Sequence, residues 1–232
     1  QEMMEAFNEI KLLDKKYNIC SENYSYEKET IKKIQPSVSS SSQAVLKDWS
    51  ETITITTRDY PFITEHTVVK QPANWSHVED LDIVVPMTMS IELTMEMVQK
   101  QVPDKKILGL SPFSIFQWMN VREDFKLAMK GTWLNNHSAK LEMKNFMSSE
   151  VMIGDKYSTP PEKYVGSIDI GKKIMDPPTR KFIYEELMFH GPNYQGVIEV
   201  TEFAEKGLRA NVQNAGGKGS LLDTLGQLIG VY

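Results

Sequence analysis

Hydrophobic and polar positions along this chain follow two periods, and the switches between them mark out its elements. Residues 51–57, Glu51-Thr52-Ile53-Thr54-Ile55-Thr56-Thr57, alternate and are rich in β-branched side chains, which predicts a strand. Pro61 breaks it, and residues 66–69 start a second short strand. Residues 71–82 are polar, carry Pro72 and Asn74, and read as a loop. From Pro86 the period becomes helical. Met87, Ile91, Met95 and Val98, with Met89, Leu93 and Met97, cover much of a circumference, which predicts a helix over 87–101 buried on most sides. A proline at its start costs nothing, because the missing N–H has no intrahelical acceptor there. Alternation returns at 106–110, 113–120, 124–133 and 139–147, the pattern of an antiparallel meander. Pro160-Pro161 and Pro177-Pro178 bracket a loop-rich stretch. Residues 194–203 and 207–213 then read as a hairpin, Gly216-Gly217 interrupts, and Ser220 is placed to cap a final helix. The order implies two related α+β units, each wrapping a sheet around one helix.

Ahead of these units, Met4, Phe7, Ile10, Leu12 and Leu13 predict a helix over 3–17. Residues 21–43 turn polar and end in a serine run, too poor in apolar groups to offset the entropy of ordering. The expected division is therefore 1–45 as helix and linker, 46–155 as the first unit, and 156–232 as the second.

Composition narrows the partners more than the fold. The net charge is −5, so no basic excess offers a face to nucleic acid. The longest apolar runs are too short to span a bilayer. Gln1-Glu2-Met3-Met4-Glu5 does not read as a signal peptide, and the single cysteine, Cys20, cannot form an internal disulfide. A cytoplasmic setting is the expectation, and the sequons at Asn23, Asn74 and Asn136 are then chance.

Two polar pairs carry the candidate chemistry. Asp223 and Gln227 are four apart on the final helix, so they share a face. Two readings stand: a helix-start carboxylate favoured by the dipole, or a carboxyl among Leu221, Leu222, Leu225, Leu228 and Ile229 whose pKa is raised by desolvation. His66, far upstream, is either an acid/base partner or a satisfied core histidine. His190 precedes a Gly-Pro turn, where a structural role is the default. His77 and His137 sit in polar loops. No histidine, cysteine and carboxylate group shows ligand spacing, so no metal is expected. Gly216-Gly217-Lys218-Gly219-Ser220 lacks the first glycine of a phosphate loop, because that position is Val212. No dinucleotide fingerprint follows a strand.

The segment His190-Gly191-Pro192-Asn193-Tyr194-Gln195-Gly196 resembles the Gly-Pro-x-Phe/Tyr-Gln-Gly element of dehydratase domains in modular type I polyketide synthases. Leu221-Leu222-Asp223-Thr224-Leu225-Gly226-Gln227 is similar to that family's Leu-Leu-Asp-x-x-x-Gln motif, and Glu65-His66-Thr67-Val68 to its Asp-His-x-Val motif. The likeness covers residues 50–232. Lys70 departs from it, standing where the family has glycine. Residues 71–82 look like an insertion, and the chain ends inside the last helix where the family continues with strands.

The resemblance implies an α+β double hot-dog fold, with an incomplete second unit. It implies His66 as base, Asp223 as acid, and Gln227 as the group holding Asp223. Gly191, Pro192 and Tyr194 would shape the chamber. The implied reaction is dehydration of a β-hydroxyacyl thioester on the phosphopantetheine arm of an acyl carrier protein. No metal or redox cofactor would be needed. Partners would be the carrier protein and other synthase domains, with a homodimeric parent by family analogy. The alternatives are a double-bond isomerase or cyclase in the same chamber, and a catalytically silent docking module.

Overall fold

The structure is a computed structural model, and it describes residues 46–67, 75, 77, 80–122, 124–159 and 168–232. The expected helix over 3–17, the linker, Cys20, Lys70 and most of the 66–82 stretch lie outside the described residues. All the described residues belong to the compact unit Leu46–Tyr232.

The first half is a five-stranded antiparallel sheet. Its strands are β1 (Trp49–Ile55), β2 (Lys106–Ile115), β3 (Phe125–Asn135), β4 (Ser138–Met143) and β5 (Met147–Gly154), in the order β1-β3-β4-β5-β2. Alternate residues (Leu127 and Met129, Leu141 and Met143, Met147, Val151 and Ile153) point inward. They close on Met89, Leu93, Met97 and Val98 of helix α1 (Met87–Gln101) to form one core. Pro86 leads α1 as expected. Two buried hydroxyls on α1 are satisfied by carbonyls one turn back, Thr94 to Ser90 at 2.8 Å and Ser90 to Pro86 at 3.3 Å.

Four elements differ from the periodic reading. The runs at 106–110 and 113–115 form one strand, whose register shifts between Leu110 and Phe113 accommodate the break, and pairing stops at Ile115. The 139–147 run crosses a turn at 144–146, where Asn145 adopts φ 69°, and a further strand begins at Met147. The proline-bracketed stretch is followed by a helical segment, α2 (Arg180–Phe182) continuing as a π turn (Ile183–Leu187). Its apolar positions are too few to show a period. The expected strand at 66–69 is represented by a single bridge, Thr67 to Ile83, with residues 68–69 outside the described set.

The second half contains the hairpin β6 (Val197–Ala204) and β7 (Gly207–Val212), and helix α3 (Ser220–Val231). Ile183, Tyr184, Val197, Val200 and Phe203 make a second, smaller core. Ser220 does not cap α3. Gly219 takes the capping position at φ 79°, while the Ser220 hydroxyl donates to Asn214 Oδ1 and accepts from the Ala215 amide. The leucines of α3 also fall differently from expectation. Leu221, Leu222, Leu225 and Ile229 are exposed, whereas Thr224 and Gln227 are buried. The helix turns its polar face inward, which is unusual for a surface helix and marks that face as the informative one.

Glu65 joins the two halves. Its backbone carbonyl accepts from the Gly191 amide at 2.9 Å. Its carboxylate accepts from the Asn193 amide at 2.5 Å and from Asn193 Nδ2 at 2.8 Å. The contact is so close that a Cβ on Gly191 would lie 2.6 Å from the Glu65 Cβ. Glu65→Ala strips two charge-assisted bonds and leaves a half-buried amide without its acceptor. The expected loss is about 2–3 kcal/mol of unfolding free energy in urea, with the slope unchanged.

Candidate functional site

Three turns and one helix bring the polar groups together. The 3-10 turn Pro61–Glu65 ends at His66, which is capped by a backbone bond from its own amide to Ile63 O. His66 Nδ1 lies 3.0 Å from the Val84 carbonyl. A carbonyl only accepts, so Nδ1 carries the hydrogen and Nε2 presents a lone pair. That lone pair faces Asp223 Oδ1 at 4.0 Å. Burial lowers the His66 pKa, and His190 adds to this, while Asp223 opposes it. The net effect favours a neutral, basic imidazole.

Asp223 sits one turn into α3. Gln227, one turn further, donates from Nε2 both to Asp223 Oδ2 and to the Tyr194 carbonyl, each at 2.8 Å. The Gln227 carbonyl oxygen accepts from the Tyr184 hydroxyl at 3.0 Å, and that hydroxyl accepts from the Val197 amide at 2.8 Å. Both polar atoms of the Gln227 amide are therefore engaged, which fixes its orientation. Gln227 thus grips one oxygen of Asp223 from a rigid mount.

The structure adds a histidine that local sequence gave no reason to choose. His190 Nε2 lies 3.3 Å from Asp223 Oδ2. Its ring stacks on Phe189 at 4.1 Å and meets the His66 ring edge-on at 5.3 Å. The Gly-Pro turn, for which a structural role was the default, also aims the His190 ring at the carboxylate. Tyr194 is fully buried, and its ring packs against His66 at 5.5 Å and Phe62 at 6.3 Å. Its hydroxyl donates to the Lys218 carbonyl at 3.2 Å, and burial raises its pKa. Pro192 is exposed and opens the 3-10 turn Pro192–Tyr194. Gly191 provides the close approach to Glu65. His77 meets the Trp75 ring edge-on at 6.4 Å, and the His137 backbone amide donates to Asn135 Oδ1 at 2.7 Å.

Of the two readings of Asp223, the raised pKa is the one the structure reverses. Burial raises it, but hydrogen bonds from His190 and Gln227, with the electrostatic pull of His190 and His66, outweigh burial and hold it below the ordinary value. Local desolvation was legible in the sequence, whereas the donors folding back from residue 190 were not. The Asp223 side chain keeps 14% exposure, so the pair is reached from outside.

Both lowered pKa values have one consequence for stability. A histidine lowered on folding and an aspartate lowered on folding each bind fewer protons in the native state than in the unfolded chain. Stability therefore falls on acidification, first below the ordinary histidine value of 6.5 and again through the aspartate range. The melting temperature is expected to drop between pH 7 and pH 5, and His66→Leu to remove part of that drop. A flat wild-type profile across this window would contradict the burial argument.

His66, His190 and Asp223 also offer ligand atoms within 4.8 Å of one another, a grouping that spacing along the chain did not show. A tetrahedral zinc at ~2.1 Å would need its ligand atoms roughly 3.4 Å apart. The His66–Asp223 separation of 4.0 Å is wider. His190 Nδ1 is buried without a partner among the described residues, where a metal-bound histidine needs an acceptor. The geometry suits proton sharing better than metal ligation.

No protein-family model and no curated protein matches the sequence. Solved structures do match. The chain is similar to the dehydratase domain of a mycocerosic acid synthase-like polyketide synthase, with TM-score 0.57 and 14% identity over 84% of this chain and 73% of that one. It is similar to the dehydratase domain from the CurF module of curacin polyketide synthase, with TM-score 0.56 and 13% identity over 82% and 73%. The dehydratase domain of PpsC from Mycobacterium tuberculosis, solved with C12:1-CoA, matches with TM-score 0.55 and 13% identity over 79% and 68%. The α+β fold is thus the fold of polyketide synthase dehydratase domains. Among the described residues no helix is long and apolar enough to cross a membrane.

Proposed function

We propose that the chain eliminates water from a β-hydroxyacyl thioester to give the α,β-enoyl thioester, within a polyketide synthase. The observation that carries this is the facing pair, a neutral His66 Nε2 lone pair 4.0 Å from Asp223 Oδ1, with His66 Nδ1 held by the Val84 carbonyl. A base beside a carboxylate is what elimination needs, since one group takes a proton and a leaving hydroxyl must receive one. The shared fold supports the same reading.

The proton balance follows from the charges. In the free protein Asp223 is ionised and His66 is neutral. Asp223 Oδ1 accepts a hydrogen bond from the substrate β-hydroxyl and orients it. His66 Nε2 takes the α-proton, which the thioester carbonyl acidifies. The C–O bond breaks as the proton gained by His66 passes, through Oδ1, to the departing oxygen. Water and the enoyl thioester leave, and no net proton is gained or lost. Asp223 is then a relay rather than the proton-loaded acid that the family resemblance implied. A backbone N–H at the start of α1 (Met87–Gln101) would polarise the thioester carbonyl. The substrate would arrive on the phosphopantetheine arm of an acyl carrier protein, and no metal or redox cofactor takes part.

The test is product identity. A β-hydroxyacyl thioester mimic incubated with the full chain is expected to give the α,β-enoyl compound by proton NMR. A β,γ-enoyl product would shift the assignment to an isomerase, and a cyclic ether to a cyclase.

A further inference from the structure

We propose that His190 is a positioning residue for Asp223: its Nε2–H holds Oδ2, so that Oδ1 alone faces His66 and carries the exchanging proton. Nothing in the expected acid/base pair requires a second histidine, yet His190 is buried and lies 3.3 Å from the carboxylate. Its tautomer follows from its surroundings. The Nδ1 atom is buried with no partner among the described residues. Were Nε2 to accept a proton from Asp223, Nδ1 would be an N–H left unbonded in the interior. A donating Nε2–H instead leaves only a lone pair there, which costs less. Oδ2 then receives two donors, His190 and Gln227, while Oδ1 receives none among the described residues. The carboxylate is divided into a held oxygen and a working oxygen.

The ring is held in turn. Phe189 stacks on one face, and the His190 backbone carbonyl accepts from Gln195 Nε2 at 2.9 Å. The Gly191 amide is fixed to the first half through Glu65. The titratable groups around the carboxylate are His66 from the turn after residue 65, His190 and Tyr194 from the 190–194 turn, and Tyr184 from the π turn. Only the two histidines lower the pKa of Asp223 among these, so removing His190 shifts its titration in one direction, upward.

This inference rests on the dehydratase reading for what the proton does afterwards, but its first test does not. Carbon-13 NMR of aspartate carboxyl groups follows Asp223 through pH, with Asp223→Asn identifying the signal. His190→Phe, which keeps the stack on Phe189 and removes the donor, is expected to raise the Asp223 midpoint. His190→Gln, whose amide nitrogen reaches where Nε2 was, is expected to restore most of the wild-type midpoint. His190→Met serves as the donorless variant if the phenylalanine protein does not fold. In turnover, the donorless variant is expected to lose roughly 10–100-fold in kcat with a smaller change in KM, and its acid limb to move to higher pH. An unmoved Asp223 midpoint in a folded donorless variant overturns the inference, even with an active wild type. A raised midpoint with no dehydration by any protein upholds the positioning role and overturns the proposed reaction instead.

Discussion

His66→Ala lowers turnover of a β-hydroxyacyl thioester by at least about 10³-fold, and Asp223→Asn does the same. Such a loss corresponds to roughly 4 kcal/mol of transition-state stabilisation. The two substitutions act on one proton path, so the double variant is expected to be no slower than the slower single one. Independent losses would instead multiply. Neither change should unfold the protein. His66 and Asp223 contribute little to the cores, which are built from other residues. The Gln227 amide keeps its bonds to Tyr194 and Tyr184 in both variants. Near-native melting with lost turnover is therefore the signature, and wild-type rates in either variant would remove that residue from the reaction.

Gly219→Ala has the largest expected effect on stability. Gly219 adopts φ 79°, where a Cβ is strained. An added Cβ would also lie 2.4 Å from the Thr88 carbonyl carbon and 2.5 Å from the Met89 amide nitrogen. These are backbone atoms of the first turn of α1, so no side chain can swing away. One helix start must move, at a cost of about 3 kcal/mol. Asp223 is four residues on, and its amide donates to the Gly219 carbonyl at 2.9 Å. A displaced Gly219 therefore carries the carboxylate off His66, and a shift of ~1 Å costs about 10²-fold in rate. Gly226 provides the internal control. It is in the middle of α3, and a Cβ added there would meet nothing within 4 Å. Gly226→Ala is expected to raise stability by about 0.5–1 kcal/mol. Equal effects at the two glycines, read by urea unfolding, would contradict the close approach of α1 and α3.

Much of the fold was legible because the strongest periodicities sit where packing is simplest. Helix α1 follows a proline and carries apolar residues on most of its surface, and its bounds agree with the pattern. The strand ends were less legible. Ser111-Pro112 interrupts an alternating run without ending β2, and a turn at Asn145 divides another run without a glycine to announce it. Helix α3 shows the limit of amphipathic reasoning. Its leucines predicted an apolar setting for Asp223, but the face that turns inward carries Thr224 and Gln227. His66, Asp223 and Gln227 could be assigned roles from motifs. Glu65 and His190 stand in the same motif segments, but their roles could not be read there, because they exist only once residues 65 and 190–194 are folded together. The direction of the Asp223 pKa depends on that same long-range contact.

The most direct measurement is mass spectrometry of the acyl group after the full chain is incubated with a β-hydroxyacyl pantetheine thioester. The expected result is loss of one water from the pantetheine-bound chain with wild-type protein, and an intact hydroxyacyl group with the His66→Ala, Asp223→Asn double variant. A substrate recovered unchanged from folded wild-type protein, or dehydrated equally by the double variant, would contradict the account.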